Sequence, residues 1–137
     1  MATIRKVNYV YIKAPNRAGQ AARVLTALRD ANVNLLAFSG FPARLGRAQI
    51  DLVTDDLAAL KRVARREGWK LSRDKRAFLV QGRDKVGAAL APLARVAAEK
   101  VNVIAADAVS AGIGRFGMIF WVAPRHYARA AKVLGAR

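Results

Sequence analysis

The sequence predicts an α+β protein built from two units with the same element order: strand, helix, strand, strand, helix, strand. One observation is an internal repeat, because a shift of 68 positions (87 − 19) aligns the two halves of the chain without gaps. Identical residues then meet at turns and on apolar faces: Gly19 with Gly87, Leu25 with Leu93, Asn34 with Asn102, and Gly46 with Gly114. The other observation is that strand-like and helix-like patterns alternate in the same order in each half. One supersecondary unit used twice explains both observations.

The first half opens with a predicted strand, "VNYVYIK" at 7–13, which is rich in residues that favour strands. A helix follows at 18–31, where apolar residues recur at helical spacing and define one apolar face. Two more strands are predicted at 33–41 and at 47–54. The second of these alternates apolar and polar residues, so one of its faces should be solvated.

A helix and a short strand are predicted to end the first half. Thr54, Asp55 and Asp56 offer capping side chains and negative charge at a helix start. The helix should end near Gly68, because glycine favours the left-handed conformation found after helices. "WKLS" at 69–72 follows as the last strand.

The second half repeats these elements but ends early. Its predicted elements are a strand at 76–82, a helix at 86–99, strands at 101–110 and 116–123, and a helix from Pro124 onward. The chain stops at Arg137, whose repeat partner is Trp69 (137 − 68 = 69), so the second unit is predicted to lack its last strand. Either its sheet is one strand short or another segment fills the gap.

The two predicted units, 1–73 and 74–137, follow the ferredoxin-like plan, in which two helices cover one face of an antiparallel sheet. Units of about 70 residues have small cores. The uncovered face or edge of each sheet therefore favours a paired arrangement, and we expect a homodimer.

The chain carries 25 basic and 9 acidic residues, which gives a net charge of +16. Such a charge attracts anions, including nucleic acids, anionic lipids and acidic proteins, although basic residues spread along a chain are also typical of solvated surfaces. The chain has no cysteine, no stretch of about 18 apolar residues and no secretion signal at its start. We therefore expect a cytoplasmic protein without disulfides or membrane segments.

The sequence offers no catalytic constellation, so we expect that the protein is not an enzyme. His126 is the only histidine and lies beside Arg125 in a predicted surface helix. Asp55 and Asp56 mark a helix start rather than an acid–base pair. Metal catalysis needs a cluster of His, Asp or Glu that the sequence lacks, and we expect neither a metal nor a cofactor.

Two equivalent strand-to-helix turns are the candidate sites: "PNRAG" at 15–19 and "RDKVG" at 83–87. A helix N-terminus presents unpaired backbone N–H groups that favour a carboxylate or a phosphate. Gly19 leaves room for a ligand, and the Asn16 amide can both donate and accept hydrogen bonds. Asn34 should lie at the far end of the first helix, about 20 Å away. Asn16 and Asn34 can therefore serve one ligand only if a neighbouring unit brings its own turn close.

The segment "VYIKAPNRAGQAARVLTALRDANVNLLAFSG" resembles the first half of an ACT domain, a small-molecule-sensing module of amino-acid metabolism. The matching features are the strand, the Asn-Arg-x-Gly turn, the helix and the Val-Asn entry to the second strand. The segment "GRDKVGAALAPLARVAAEKVNVIAADAVSA" is similar, with Asp84 in the place of Asn16. The resemblance covers nearly the whole chain as a tandem pair.

The resemblance implies a regulatory protein that binds an amino acid at interfaces between units and passes a change in assembly to a partner. In ACT domains the ligand is held by the turn after the first strand and by the start of the second strand. The matching positions in this chain are Asn16, Arg17, Ala18, Gly19, Asn34, Asp84, Val86, Gly87 and Asn102. Amide oxygens or Asp84 would accept hydrogen bonds from the ammonium group of the ligand, and N–H donors would hold its carboxylate.

RNA binding is the alternative function. Ferredoxin-like sheets with exposed aromatic residues form the RNA recognition motif, and this chain is very basic. The segment "RFGMIFWV" at 115–122 partly matches a strand of that motif. The candidate stacking residues are Phe116, Phe120 and Trp121, with Tyr9 and Tyr11 on the first strand. RNA affinity that falls steeply with salt would be the signature of this function.

Overall fold

The computed structural model describes residues 2–137, which form two compact units. The first unit is Asn8–Lys75, and the second unit combines the residues up to Val7 with Arg76–Arg137. The predicted α+β class, with its element order used twice, is confirmed. The chain changes unit between 75 and 76, and also at 7 and 8, where the sequence predicted no boundary.

The first unit contains three strands and two helices. Its elements are β1 (Thr3–Pro15, from Asn8 onward), α1 (Gln20–Asp30), β2 (Ala37–Pro42), β3 (Arg47–Thr54) and α2 (Leu57–Glu67). The strands form an antiparallel sheet in the order β2-β3-β1. The order is that expected for the ferredoxin-like plan, in which the first and third strands are neighbours.

Cross-strand pairing places apolar residues of the first unit on one sheet face. Val10 pairs with Leu52 and Ile12 pairs with Ile50, and all four side chains are buried. The helical residues that complete this core are Val24 and Leu28 of α1 and Leu60 and Val63 of α2. The helices therefore bury the apolar faces that their residue spacing predicts.

The predicted strand at 69–72 is not a regular strand. The Ser72 N–H donates to the Tyr11 carbonyl oxygen at 2.9 Å, but the Tyr11 N–H donates to the Ser72 hydroxyl at 2.9 Å. A side-chain acceptor in this position interrupts the backbone ladder that defines a strand. Trp69 and Leu71 still pack against the core of the first unit, as their apolar character requires.

The second unit has the same plan. Its elements are β4 (Lys75–Arg83, from Arg76 onward), α3 (Leu90–Ala98), β5 (Val103–Gly112), β6 (Arg115–Val122) and α4 (Tyr127–Leu134), with a 3-10 turn at Pro124–His126. Strand β6 pairs antiparallel with both β4 and β5. Phe78, Phe120 and Tyr127 lie in the core, where the rings of Phe78 and Tyr127 stack with 4.4 Å between their centroids.

The first part of β1, residues 3–7, supplies the strand that the second unit lacks. The Thr3 hydroxyl donates to a carbonyl oxygen of β4 at 3.4 Å. The Lys6 N–H donates to the Arg137 carbonyl oxygen at 2.7 Å, and the Arg137 N–H donates to the Ile4 carbonyl oxygen at 3.0 Å. The Ile4 side chain is 8% exposed and lies in the core of the second unit. Of the two alternatives that the sequence left open, the correct one is that another segment fills the gap.

Candidate functional site

The turn between β1 and α1 is fixed by hydrogen bonds to its neighbours. The Asn16 N–H donates to the Gly46 carbonyl oxygen at 2.9 Å, which joins the turn to the β2–β3 hairpin. The Arg47 guanidinium donates from Nη2 to the Lys13 carbonyl oxygen at 2.7 Å. The turn residues Asn16, Arg17, Ala18 and Gly19 are all exposed. The predicted site residues of the first turn thus form one contiguous surface that faces solvent.

Gly19 precedes α1 with a left-handed backbone, at φ 88°. A Cβ at this position would meet no atom within 4 Å, so conformation rather than tight packing requires the glycine. The space in front of the turn is open to a ligand.

The N-terminus of α1 lacks the cap that α2 has. No side chain caps α1, and no acidic residue lies in its first turn. The Asp56 carboxylate caps α2 by accepting a hydrogen bond from the Ala59 N–H at 3.0 Å. The first N–H groups of α1 are therefore available to an external anion, which the helix dipole also favours.

The second turn repeats the backbone of the first but differs in chemistry. The Asp84 N–H donates to the Gly114 carbonyl oxygen at 2.9 Å, the counterpart of the Asn16 bond 68 positions earlier (84 − 16), and Gly87 has φ 78°. The Asp84 Oδ2 accepts a hydrogen bond from the Ser110 hydroxyl at 2.6 Å. One carboxylate oxygen is therefore already engaged within the unit, and the two turns are not chemically equivalent.

Helix α3 begins at Leu90, later than the predicted position 86. The Ala88 N–H donates to Lys85 and the Leu90 N–H donates to Gly87, so both bonds span three residues, as in turns rather than in an α-helix. The left-handed Gly87 delays the helix. Val86 consequently stands in the turn as a fully exposed apolar residue.

Asn34 and Asn102 lie beyond the helices that follow the two turns. Asn34 is exposed, and its carbonyl oxygen accepts a hydrogen bond from the Thr54 hydroxyl at 2.8 Å. Helix α1 has 11 residues, which corresponds to a length of about 16 Å. Asn102 is exposed in the equivalent position after α3. Within one unit, neither asparagine is brought together with the turn that precedes its helix.

The β2–β3 hairpin borders the first turn, and the sequence did not predict it as part of the site. Its tip carries Arg44 and Leu45, which are both exposed. Together with Lys13, Arg17 and Arg47, this end of the first unit presents four exposed cations. Such an environment favours a carboxylate ligand. The signal that could have found the hairpin is its Gly-Arg pair, which recurs in the second half of the chain.

Tyr127 is a buried tyrosine in a structural environment. Burial raises its pKa to about 12, an effect that is partly offset by Arg76, whose guanidinium lies 4.1 Å from the ring centroid. The Tyr127 hydroxyl donates to the Ala77 carbonyl oxygen at 2.8 Å. His126, the neighbouring residue, lies in the 3-10 turn before α4 rather than in a helix. Among residues 2–137, no group of three His, Cys, Asp or Glu residues could hold a metal ion.

The aromatic residues predicted as an RNA-stacking surface are buried. Phe116, Phe120, Trp121 and Tyr9 all lie in the interior, and only Tyr11 is half-exposed. A ring without an exposed face cannot stack on a base. The predicted stacking surface is therefore wrong. Within the described part of the chain, no helix is long and apolar enough to cross a membrane.

Comparisons with known proteins agree with the resemblance seen in the sequence. Residues 8–66 match the family model of the ACT domain. No curated protein matches the chain. Among solved structures, a protein from Bacteroides thetaiotaomicron is similar with a TM-score of 0.76 and 17% identity, over 98% of this chain and 88% of that one.

Two regulatory subunits of aspartate kinase are also similar in structure. The subunit from Thermus thermophilus has a TM-score of 0.62 and 16% identity, over 98% of this chain and 94% of that one. The subunit from Thermus flavus has a TM-score of 0.59 and 20% identity, with the same coverage of 98% and 94%. At these identities the likeness shows the fold alone. The chain contains an ACT domain in residues 8–66, within an architecture that uses the same element order twice.

Proposed function

We propose that this chain is a regulatory protein of amino-acid metabolism and that it binds an amino acid. The observation that carries the proposal is the first turn, where the exposed residues 16–19 precede a helix whose N-terminus no side chain caps. The ACT domain in residues 8–66 supports a regulatory role, as does the fold shared with regulatory subunits of aspartate kinase.

The chemistry of the first turn suits a zwitterion. The carboxylate of the ligand binds the N–H groups at the start of α1 and is attracted by Arg17. The amide oxygen of Asn16 accepts a hydrogen bond from the ammonium group. Asn34 of a neighbouring unit in an assembly completes the site, because the Asn34 of the same unit lies beyond α1.

The second turn forms a different site. Its proposed ligand residues are Asp84, Val86, Gly87 and Asn102. Asp84 carries a negative charge where Asn16 is neutral, so this turn favours the ammonium group more strongly and the carboxylate less strongly than the first turn does. We further propose that the protein acts in the cytoplasm as a homodimer, without catalysis of its own, and that it transmits ligand binding to a partner enzyme.

A thermal-shift screen of the standard amino acids, at low and at high salt, tests the proposal. One or two amino acids should stabilise the protein by about 2.7 kcal/mol at a concentration of 100 Kd, with weak dependence on salt. An RNA oligomer serves as the comparator. If no amino acid stabilises the protein and RNA binds with an affinity that falls steeply with salt, the alternative function is favoured.

A matched pair of glycine variants locates the site. Gly19 and Gly68 both adopt a left-handed backbone, and an added Cβ would meet no atom within 4 Å at either position. Alanine at either position should therefore cost a similar strain, about 1–2 kcal/mol. Only Gly19→Ala should also weaken the response to the amino acid. An equal ligand response in the two variants would contradict a site at the first turn.

A further inference from the structure

Strand β5 is an edge strand with an exposed apolar surface. It is the outermost strand of its sheet and pairs with β6 alone. Every residue at 104–112 is exposed, including Ile104 at 59% and Val109 at 66%. An edge of this kind presents unpaired backbone N–H and C=O groups together with apolar side chains, and it is a template for pairing with another strand.

The apolar surface continues from β5 onto the second turn. The hydrogen bonds of Asp84 to Ser110 and to Gly114 hold this turn against the end of β5 and against the β5–β6 hairpin. Val86 in the turn and Ile113 at the hairpin tip are fully exposed. We call β5, Val86 and Ile113 together the β5 surface. Single exposed apolar residues are ordinary, but a contiguous group of them marks an interaction site.

The β5 surface lacks the basic residues that are abundant elsewhere. The chain has 25 Lys and Arg residues in 137 positions, yet β5 has none and carries one acidic residue, Asp107. Lysine on an edge strand is a common device against edge-to-edge pairing, and it is missing here. A surface without cations gives no attraction to an acidic partner, but it allows a partner with the same positive charge to approach. A second molecule of this chain, which also carries +16, is such a partner.

The outer strand of the first unit is better protected. Strand β2 has 6 residues, whereas β5 has 10, and β2 ends at Pro42, which has no N–H to donate. Between the two, β5 is the edge that is suited to pairing.

We propose that two molecules of this chain associate by antiparallel pairing of their β5 strands. This inference rests on the homodimer proposed above and adds the surface that forms it. Two identical strands paired antiparallel make an isologous contact, the symmetry of most homodimers. Ten residues provide about 33 Å of strand edge. Because Asp84 is bonded to Ser110 of β5, the second turn then lies beside the second molecule.

Analytical ultracentrifugation of the full chain and of Val109→Lys tests the proposal. The change adds a cation to an exposed position, so it should leave the fold intact, which circular dichroism verifies. Phe41→Lys on β2 is the matched control, because Phe41 is an apolar edge-strand residue that is 45% exposed. We expect a dimeric wild type, a dimeric Phe41→Lys, and a dissociation constant raised at least a hundredfold in Val109→Lys. Ile104→Lys replaces Val109→Lys if the latter fails to fold.

The outcomes separate this inference from the proposed ligand binding. A dimer that survives Val109→Lys, or that dissociates only with Phe41→Lys, overturns the β5 surface. A monomeric wild type overturns both the surface and the homodimer. The amino-acid screen is scored separately, so a dimer that responds to no amino acid supports the β5 surface while rejecting the ligand.

Discussion

Replacing Ile4 by alanine tests whether the first part of β1 is a working strand of the second unit. Ile4 is 8% exposed and packs in the same cluster as Phe78 and Val80. Truncation of a buried isoleucine costs about 2–5 kcal/mol, and a position close to the chain end can relax, so we expect about 2–3 kcal/mol. Unfolding entropy for a chain of this length is about 0.29 kcal/mol/K, so the Tm should fall by about 7–10 °C.

Urea denaturation measures the loss for Ile4→Ala, and hydrogen exchange locates it. Peptides from Arg76–Arg137 should exchange faster, whereas peptides from residues 20–67 should keep their protection. Lys6→Ala is the matched control, because the Lys6 side chain is exposed and its backbone N–H still donates to Arg137. The control should cost less than about 0.5 kcal/mol. Faster exchange mainly at residues 20–67, or equal costs for the two variants, would refute the assignment.

Three other changes test single contacts. Tyr127→Phe should cost about 1 kcal/mol of hydrogen bonding. Because the folded pKa of about 12 lies above the ordinary 10.0, this group contributes fully below pH 10 and its contribution is lost as the pH rises toward 12; urea midpoints above pH 10 should therefore fall more steeply in the wild type than in Tyr127→Phe, and parallel profiles would contradict the burial of the hydroxyl. Asp56→Ala should cost about 1 kcal/mol in urea denaturation through loss of the α2 cap, whereas Asp56→Asn should retain most of the stability; equal losses would argue against capping. Ser72→Ala leaves the Tyr11 N–H without its acceptor and should cost about 1–2 kcal/mol in the same assay, whereas Ser72→Thr keeps a hydroxyl and should cost less.

Local patterns were sufficient to predict most elements of the fold. The alternation around Val10 and Ile12 and the helical spacing of Val24 and Leu28 are local signals that do not depend on distant residues. The contribution of residues 3–7 to the second unit could not be predicted in this way. Their partners lie at the other end of the sequence, and the repeat contains no counterpart that would show the pairing.

The candidate site was predictable only where backbone conformation dictates the residue type. Gly19 and Gly87 mark their turns because few other residues adopt a left-handed backbone. The hairpin beside the first turn depends on tertiary contacts that a linear pattern does not contain. The misplaced RNA surface has a related cause: strand alternation assigns Phe120 and Trp121 to opposite faces, but it does not reveal that both faces are covered.

Strand β1 joins the part of the chain that is made first to the part that is made last. Ile4 and Arg137 are bonded neighbours although 133 positions separate them (137 − 4). During synthesis, Asn8–Lys75 can therefore close its core while the ribosome still holds the rest, whereas the second unit must wait for the whole polypeptide. A gene rearranged to encode 76–137, a short linker and then 2–75 would make both units continuous, and the second should then be able to fold before translation ends.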